Sequence, residues 1–195
     1  MENKVKFGLT NVYGAVITEG EDGAITYGTP KRIPGGVNLS LTAQGDTTEF
    51  YADDVLYYAS AANNGYRGDL EIARVPGWFR TDVLKETQDE TTGVLFENAN
   101  VEPAKFALLF EFSGDVHHTR HCLYNCTVTR PSVASGTTTN TKDPVTDTMT
   151  VTSVPRADGI VKASTTEKTP AATYNTWFNS VILPPSSDNE SGDSE

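Results

Sequence analysis

Residues 104–131 read AKFALLFEFSGDVHHTRHCLYNCTVTRP, and the fold turns on how this stretch is taken. Phe106, Leu108, Phe110 and Phe112 alternate with Ala107, Leu109, Glu111 and Ser113, which is the two-residue period of a β-strand and not the 3.6 of a helix. Ser113-Gly114-Asp115 supplies turn chemistry, and alternation resumes over residues 117–129. The stretch therefore predicts a long antiparallel hairpin. Because Ala107 and Leu109 make the second face of the first strand apolar as well, the hairpin should have protein against both sides, as in a sandwich or a closed assembly.

Towards the N-terminus, Val12 to Ile17 form a run rich in strand formers, which predicts a strand over 11–18 with Gly8 and Gly14 as bulge sites. A turn at 19–23 precedes a short return strand over 24–27. Pro30, Pro34 and Gly35-Gly36 punctuate a loop before Val37, Leu39 and Leu41 alternate with polar residues in a half-buried strand. Residues 49–52 are extended. Over 53–73 a helical face of Val55, Leu56, Tyr58 and Ala59 competes with extended structure, and the Asn63-Asn64-Gly65 turn favours a long loop or hairpin arm followed by a strand over 68–74.

Residues 75–86, VPGWFRTDVLKE, predict a helix with Pro76 in its first turn and Phe79, Val83 and Leu84 on one side. A strand over 93–98 leads into the central hairpin. Beyond it, residues 132–148 are almost devoid of apolar side chains, so this segment has no core of its own. Strands follow over 149–155 and 159–163, around a turn at 156–159. Tyr174, Trp177, Phe178, Val181 and Ile182 then carry helical spacing that Pro184-Pro185 would end. The class is mainly β with a flanking helix.

At 195 residues the chain has room for one self-sufficient core. The formal charge is −11, of which Asp188, Glu190, Asp193 and Glu195 in the last ten residues supply −4 and leave −7 for the body. An acidic body argues against a grip on nucleic-acid phosphates, which Lys and Arg provide. The first residues lack the apolar segment of a secretion signal, and no run approaches the roughly 20 apolar residues that span a bilayer. Cys122 and Cys126, four apart on one strand, stand about 13 Å from each other, too far for a disulfide, and are expected as free thiols.

Catalytic chemistry finds little to hold. His117, His118, His121, Cys122 and Cys126 are zinc-type side chains, but on a strand His118, Cys122 and Cys126 share a face at about 13 Å steps while His117 and His121 point away, and one tetrahedral ion cannot gather them. No GxSxG, P-loop or GxGxxG occurs. Asp53-Asp54, Asp143 and Asp147 lack EF-hand spacing and read as loop charge. The sequons at Asn38, Asn125 and Asn189 are discounted, two of them being on predicted strands. Trp78 and Trp177 read as core anchors, with a glycan-stacking role for Trp78 and the loop at 63–65 as the competing reading. No catalytic residue, metal or cofactor is expected.

The order of segments carries more than any one of them. YADDVLYYASAANNGYRGDLEIA at 51–73, WFRTDVL, GVLFEN at 93–98, KFALLFEFSGD at 105–115, RHCLYNCTVTRP at 120–131 and DTMTVTSVPRADGIVKA at 147–163 together resemble the major tail protein, or tail tube protein, of long, non-contractile-tailed bacteriophages. The resemblance implies a tail-tube β-sandwich domain over 1–185 with long loops or arms, followed by a disordered acidic tail at 186–195. It implies a virion protein, assembled in the host cytoplasm, whose hexameric rings stack into the conduit for DNA ejection. Implied partners are other copies of itself, the tape-measure protein, tail assembly chaperones, the tail terminator and distal tail proteins, with DNA passing unbound and no membrane. The polar segments at 44–66 and 132–148 then suit arms ordered by a neighbour, which makes Ala52, Asp53, Asp54, Tyr57, Asn63, Asn64, Gly65, Thr137, Thr139 and Asn140 subunit-interface candidates.

The period of two in residues 106–112 makes one sharp prediction. Phe110→Asp places an unpaired charge in an apolar face, at about 4 kcal/mol or more, and should abolish folding. Soluble protein with a cooperative melt would show that the strand faces are assigned the wrong way round.

Overall fold

The computed structural model describes residues 7–21, 24–137 and 144–185. The first strands are β1 (Leu9–Glu19), β2 (Ile25–Tyr27), β3 (Lys31–Arg32) and β4 (Gly36–Gln44). They are followed by β5 (Thr47–Ala52), β6 (Val55–Ala61) and β7 (Gly65–Ile72), then helix α1 (Gly77–Asp82). Short strands β8 (Thr87–Gln88) and β9 (Leu95–Phe96) precede the central pair β10 (Phe106–Phe112) and β11 (Arg120–Val128). The chain continues through β12 (Asp147–Ser153), β13 (Lys162–Ser164) and α2 (Ala171–Thr176).

Among the described residues nine strands join one antiparallel sheet in the order β2-β1-β10-β11-β12-β7-β4, with β3 added to β1 and β13 to β11. The central hairpin is present as expected, with Phe106 opposite Cys126 and Leu109 opposite Cys122. Its two faces are both covered. Phe106, Leu108 and Phe110 point into an inner cluster with Leu70, Ile72, Phe79, Leu123, Met149 and Val151. Ala107 and Leu109 point into an outer cluster with Ala15, Tyr124 and Trp177. The sheet curls around the inner cluster until β4 returns to β1. Gly36 lies so close that a Cβ there would stand 3.0 Å from Val12 Cγ2. The architecture is mainly β and sandwich-like, as predicted.

Several boundaries differ from the sequence reading, each for a local reason. β11 begins at Arg120 and not at 117, because the Asp115 carboxylate accepts the His117 and Thr119 backbone N–H groups and holds residues 113–119 in a compact loop. His118, with φ of 47°, is in that loop and not on the strand. The pairing shifts between Phe106 and Leu108, so that three residues of β11 face two of β10. That bulge moves Cys122 to the outer cluster and Cys126 to the inner one, which corrects the expectation of a shared face. Both are free and buried thiols. Burial pushes the Cys126 thiol up to about 12, and Cys122 is raised for the same reason.

In β1 the irregularity falls between Thr10 and Tyr13, with Asn11 at φ 49°, and not at Gly8 or Gly14. Helix α1 is shorter than 75–86, since Lys85 turns to φ 58°, yet Phe79, Val83 and Leu84 are all fully buried. The expected strand over 93–98 reduces to Leu95–Phe96, paired with β8. The second helix lies earlier than 174–182: it covers Ala171–Thr176 and passes into turns. Its apolar stripe still does the expected packing, because Trp177 is buried and Phe178, Val181 and Ile182 lie on the outer cluster. Residues 186–195, read as an acidic tail, lie outside the described residues.

Arg120 is one of the side chains that pin the C-terminal segment. Arg120 Nε is 3.2 Å from Glu111 Oε2, its guanidinium stacks over Tyr174 at 3.8 Å and Phe178 at 4.8 Å, and Nη1 donates to the Tyr174 carbonyl. Glu111 is 6% exposed, and it also meets His118 Nδ1 at 3.2 Å. Removing Arg120 would leave that buried carboxylate with only the partly exposed His118 and a 3.4 Å bond from Asn11 Nδ2, and would loosen α2. Arg120→Ala is therefore expected to cost about 3 kcal/mol in urea unfolding, with a smaller loss for Arg120→Lys, which keeps the charge and forfeits the stacking.

Candidate assembly surface

The long loop or hairpin arm read ahead of the strand over 68–74 is a hairpin of residues 47–61, turning at Asp53-Asp54 and not at Asn63-Asn64-Gly65, and it is the continuation of a longer ladder. β4 and β7 pair from Gly36 opposite Ile72 to Gln44 opposite Gly65, then Asn64 N–H donates to Gln44 O at 2.8 Å and Ala62 N–H to Asp46 O at 3.0 Å. Beyond these bonds β5 and β6 pair with each other as a separate two-stranded sheet. At the strand rise this carries the arm roughly 20 Å from its base. The base is tightly fitted. Gly65 has φ of 105° and lies so near β12 that a Cβ would stand 1.9 Å from the Ser153 carbonyl oxygen.

The tip is a two-residue turn, with Asp53 at φ 51° and Asp54 at φ 60°. Left-handed values at both central positions define the primed turn whose twist matches the strands, and Asp is among the residues that tolerate it. The Asp53-Asp54 pair thus serves as the hairpin turn. Phe50 faces Tyr58, Tyr51 faces Leu56, and Ala52 faces Val55, while Tyr57 is the extra residue where the register shifts. Pairing places Phe50 and Tyr58 on one side of the arm and Tyr51 and Leu56 on the other. Phe50 and Tyr57 also meet edge to face at 6.4 Å.

None of this apolar surface is covered. Tyr57 is 75% exposed, Tyr51 60% and Phe50 56%, and every residue of β6 is exposed. An isolated two-stranded hairpin is marginal in water, and contiguous exposed apolar surface marks an interaction site. The segment 44–66, read from sequence as polar, is apolar where it matters. It also carries Asp46, Glu49, Asp53 and Asp54 with no Lys or Arg anywhere between Arg32 and Arg67.

The interface candidates fall into separate places. Ala52, Asp53, Asp54 and Tyr57 gather at the arm tip, and Asn63, Asn64 and Gly65 at its base, where Asn63 Oδ1 accepts the Gly65 N–H at 3.2 Å. Thr137 is exposed in the coil after β11, while Thr139 and Asn140 lie outside the described residues. Sequence reasoning left out Phe50, Tyr51, Val55, Leu56 and Tyr58. The signal was the pair of strand-forming runs EFYA and VLYY flanking two aspartates. Trp78 is half-buried and committed to structure: its Nε1 donates to Arg32 O at 3.0 Å and its ring meets Phe79 edge to face. Asp147 likewise accepts the Val75 N–H at 2.8 Å.

A second surface feature opens beside β4. Where the curled sheet fails to close, a cleft of 510 Å³ runs between β4 and the β10–β11 hairpin, lined by Leu39, Leu41, Tyr66, Phe110 and Phe112, with Lys162 at its rim. The Lys162 Nζ lies 4.7 Å over the Tyr66 ring. Among the described residues no helix is long and apolar enough to cross a membrane.

No family model and no curated protein matches the chain. Among solved structures, the cap that terminates the tube of the anti-feeding prophage is similar over 85% of this chain and 95% of that one, at 11% identity and a TM-score of 0.45.

The exposure of the arm has a measurable consequence. Replacing residues 47–61 by Asn-Gly, a turn suited to joining Asp46 to Ala62, should leave a folded protein within about 1 kcal/mol of the parent in thermal unfolding. A collapsed or non-cooperative melt would mean that the arm belongs to the core.

Proposed function

We propose that this chain is a structural virion protein that self-assembles into stacked hexameric rings forming a phage tail tube, the conduit for DNA ejection. The observation that carries the reading is the β5–β6 arm: a strand pair with aromatic side chains on both sides, held clear of its own core. Such an element is completed only by another surface, and copies of the same chain supply one at the concentration of the protein itself. The ordered segments that resemble a major tail protein favour a tail tube as the kind of assembly. The acidic body suits a lumen through which a polyanion slides without sticking. In this reading the protein performs no catalysis, works in the virion tail after assembly in the host cytoplasm, and meets the tape-measure protein, assembly chaperones, tail terminator and distal tail proteins.

Electron microscopy of the concentrated, purified protein tests the proposal. Rings or tubes of uniform width are expected from the full chain, and discrete monomers from the protein with residues 47–61 replaced by Asn-Gly. Monomers from the full chain at every concentration and salt would overturn it.

A further inference from the structure

The two edges of the main sheet are unequal. β2 ends it with three residues, whereas β4 ends it with nine, GVNLSLTAQ, which contain neither a charge nor a proline. Long edges without such protection are templates for another strand. Only the start of β4 is covered, where Gly36 meets Leu9 and Val12. Further along, the exposed Gln44 side-chain amide donates to Thr42 O at 3.2 Å and to Ala43 O at 3.4 Å, local bonds that an incoming strand can displace. Beside the same edge lies the apolar cleft, with Leu39 and Leu41 of β4 as one wall.

We infer that the edge of β4 and this cleft are the receptor for the β5–β6 arm of a second copy, which adds a strand to the sheet and lays aromatic side chains into the cleft. The inference rests on the self-assembly reading and names the surface that the arm engages. Three observations select this occupant. Strand addition joins main-chain bonding along an edge to side-chain pockets beside it, and both are present here. The arm carries three carboxylates, Glu49, Asp53 and Asp54, and no cation, and the cleft has Lys162 at its rim. Finally, a chain cannot satisfy its own cleft in this way, because β5 starts three residues after β4 ends and prolongs that strand instead of lying beside it. The contact is therefore heterologous, arm to cleft, and repeats as a closed ring or an open stack.

A photo-crosslinking phenylalanine analogue at position 57 of the full chain, irradiated under assembling conditions, identifies the receptor by mass spectrometry of the joined peptides. Intermolecular links to residues 37–41 or to Lys162 are expected. Assemblies whose links fall elsewhere would overturn this inference and leave the assembly reading standing, whereas a chain that never associates would remove both. Lys162→Glu, on an exposed position of β13, adds a second readout: about a tenfold rise in the concentration needed for assembly, with a melt matching that of Lys162→Gln, which likewise loses the contact over Tyr66. An unchanged assembly concentration would count against the cleft as receptor.

Discussion

Burial of β10 on both faces is the constraint from which the rest of the structure follows. A strand with phenylalanine and leucine on one side and alanine and leucine on the other cannot be shielded by a single layer. The inner side is closed by the sheet itself, which curls through β11, β12 and β7 until β4 comes back to β1. The outer side has no strands to spare and is closed by the C-terminal segment. That segment has little regular structure with which to hold itself, so side chains hold it. Tyr124 Oη donates to the Ile182 carbonyl at 2.6 Å, and Arg120 links Glu111 to the Tyr174 carbonyl and both flanking rings. The sole carboxylate on β10 is thereby the point where the outer layer is fastened.

That constraint was legible in the sequence because it is local and periodic. Alternation in 106–112 showed a strand, its second apolar face showed that a covering layer was needed, and the spacing from Tyr174 to Ile182 showed an apolar stripe without saying that it would be that cover. What stayed hidden depended on partners distant in the chain. The bulge that splits Cys122 from Cys126 arises from how β11 meets β10, and no pattern within β11 records it. Likewise the loop at 113–119 is closed by one aspartate accepting two backbone N–H groups, which turned two expected strand residues, His117 and His118, into loop residues.

The arm shows a different limit. Periodicity finds strands, but it cannot tell a strand pair that enters the core from one that leaves it, since both present apolar residues at alternate positions. Tyr51, Leu56 and Tyr58 would suit a sandwich interior, and only the three-dimensional arrangement shows them in solvent. The turn was misread for a related reason. Asn-Gly or Asp-Gly announces a primed turn, whereas Asp53-Asp54 adopts the same left-handed values without glycine and reads as loose loop charge.

In the proposed assembly the arm serves association and not stability. No residue of 47–61 enters either cluster, whereas Leu39 and Leu41 of β4 pack against the inner one. The separation matters physically, because a protein that must exist as a soluble monomer before it polymerises cannot draw its fold from the interface. It also explains where the chain tolerates features that folding normally selects against: exposed aromatic pairs and an uncharged nine-residue edge. Both lie on the same β4–β7 hairpin, one at its end and one along its side, so a single element carries the donor and the acceptor of the proposed contact. Fixing their relative geometry within one hairpin fixes the step from each subunit to the next, which is the property a repeating assembly of uniform width requires.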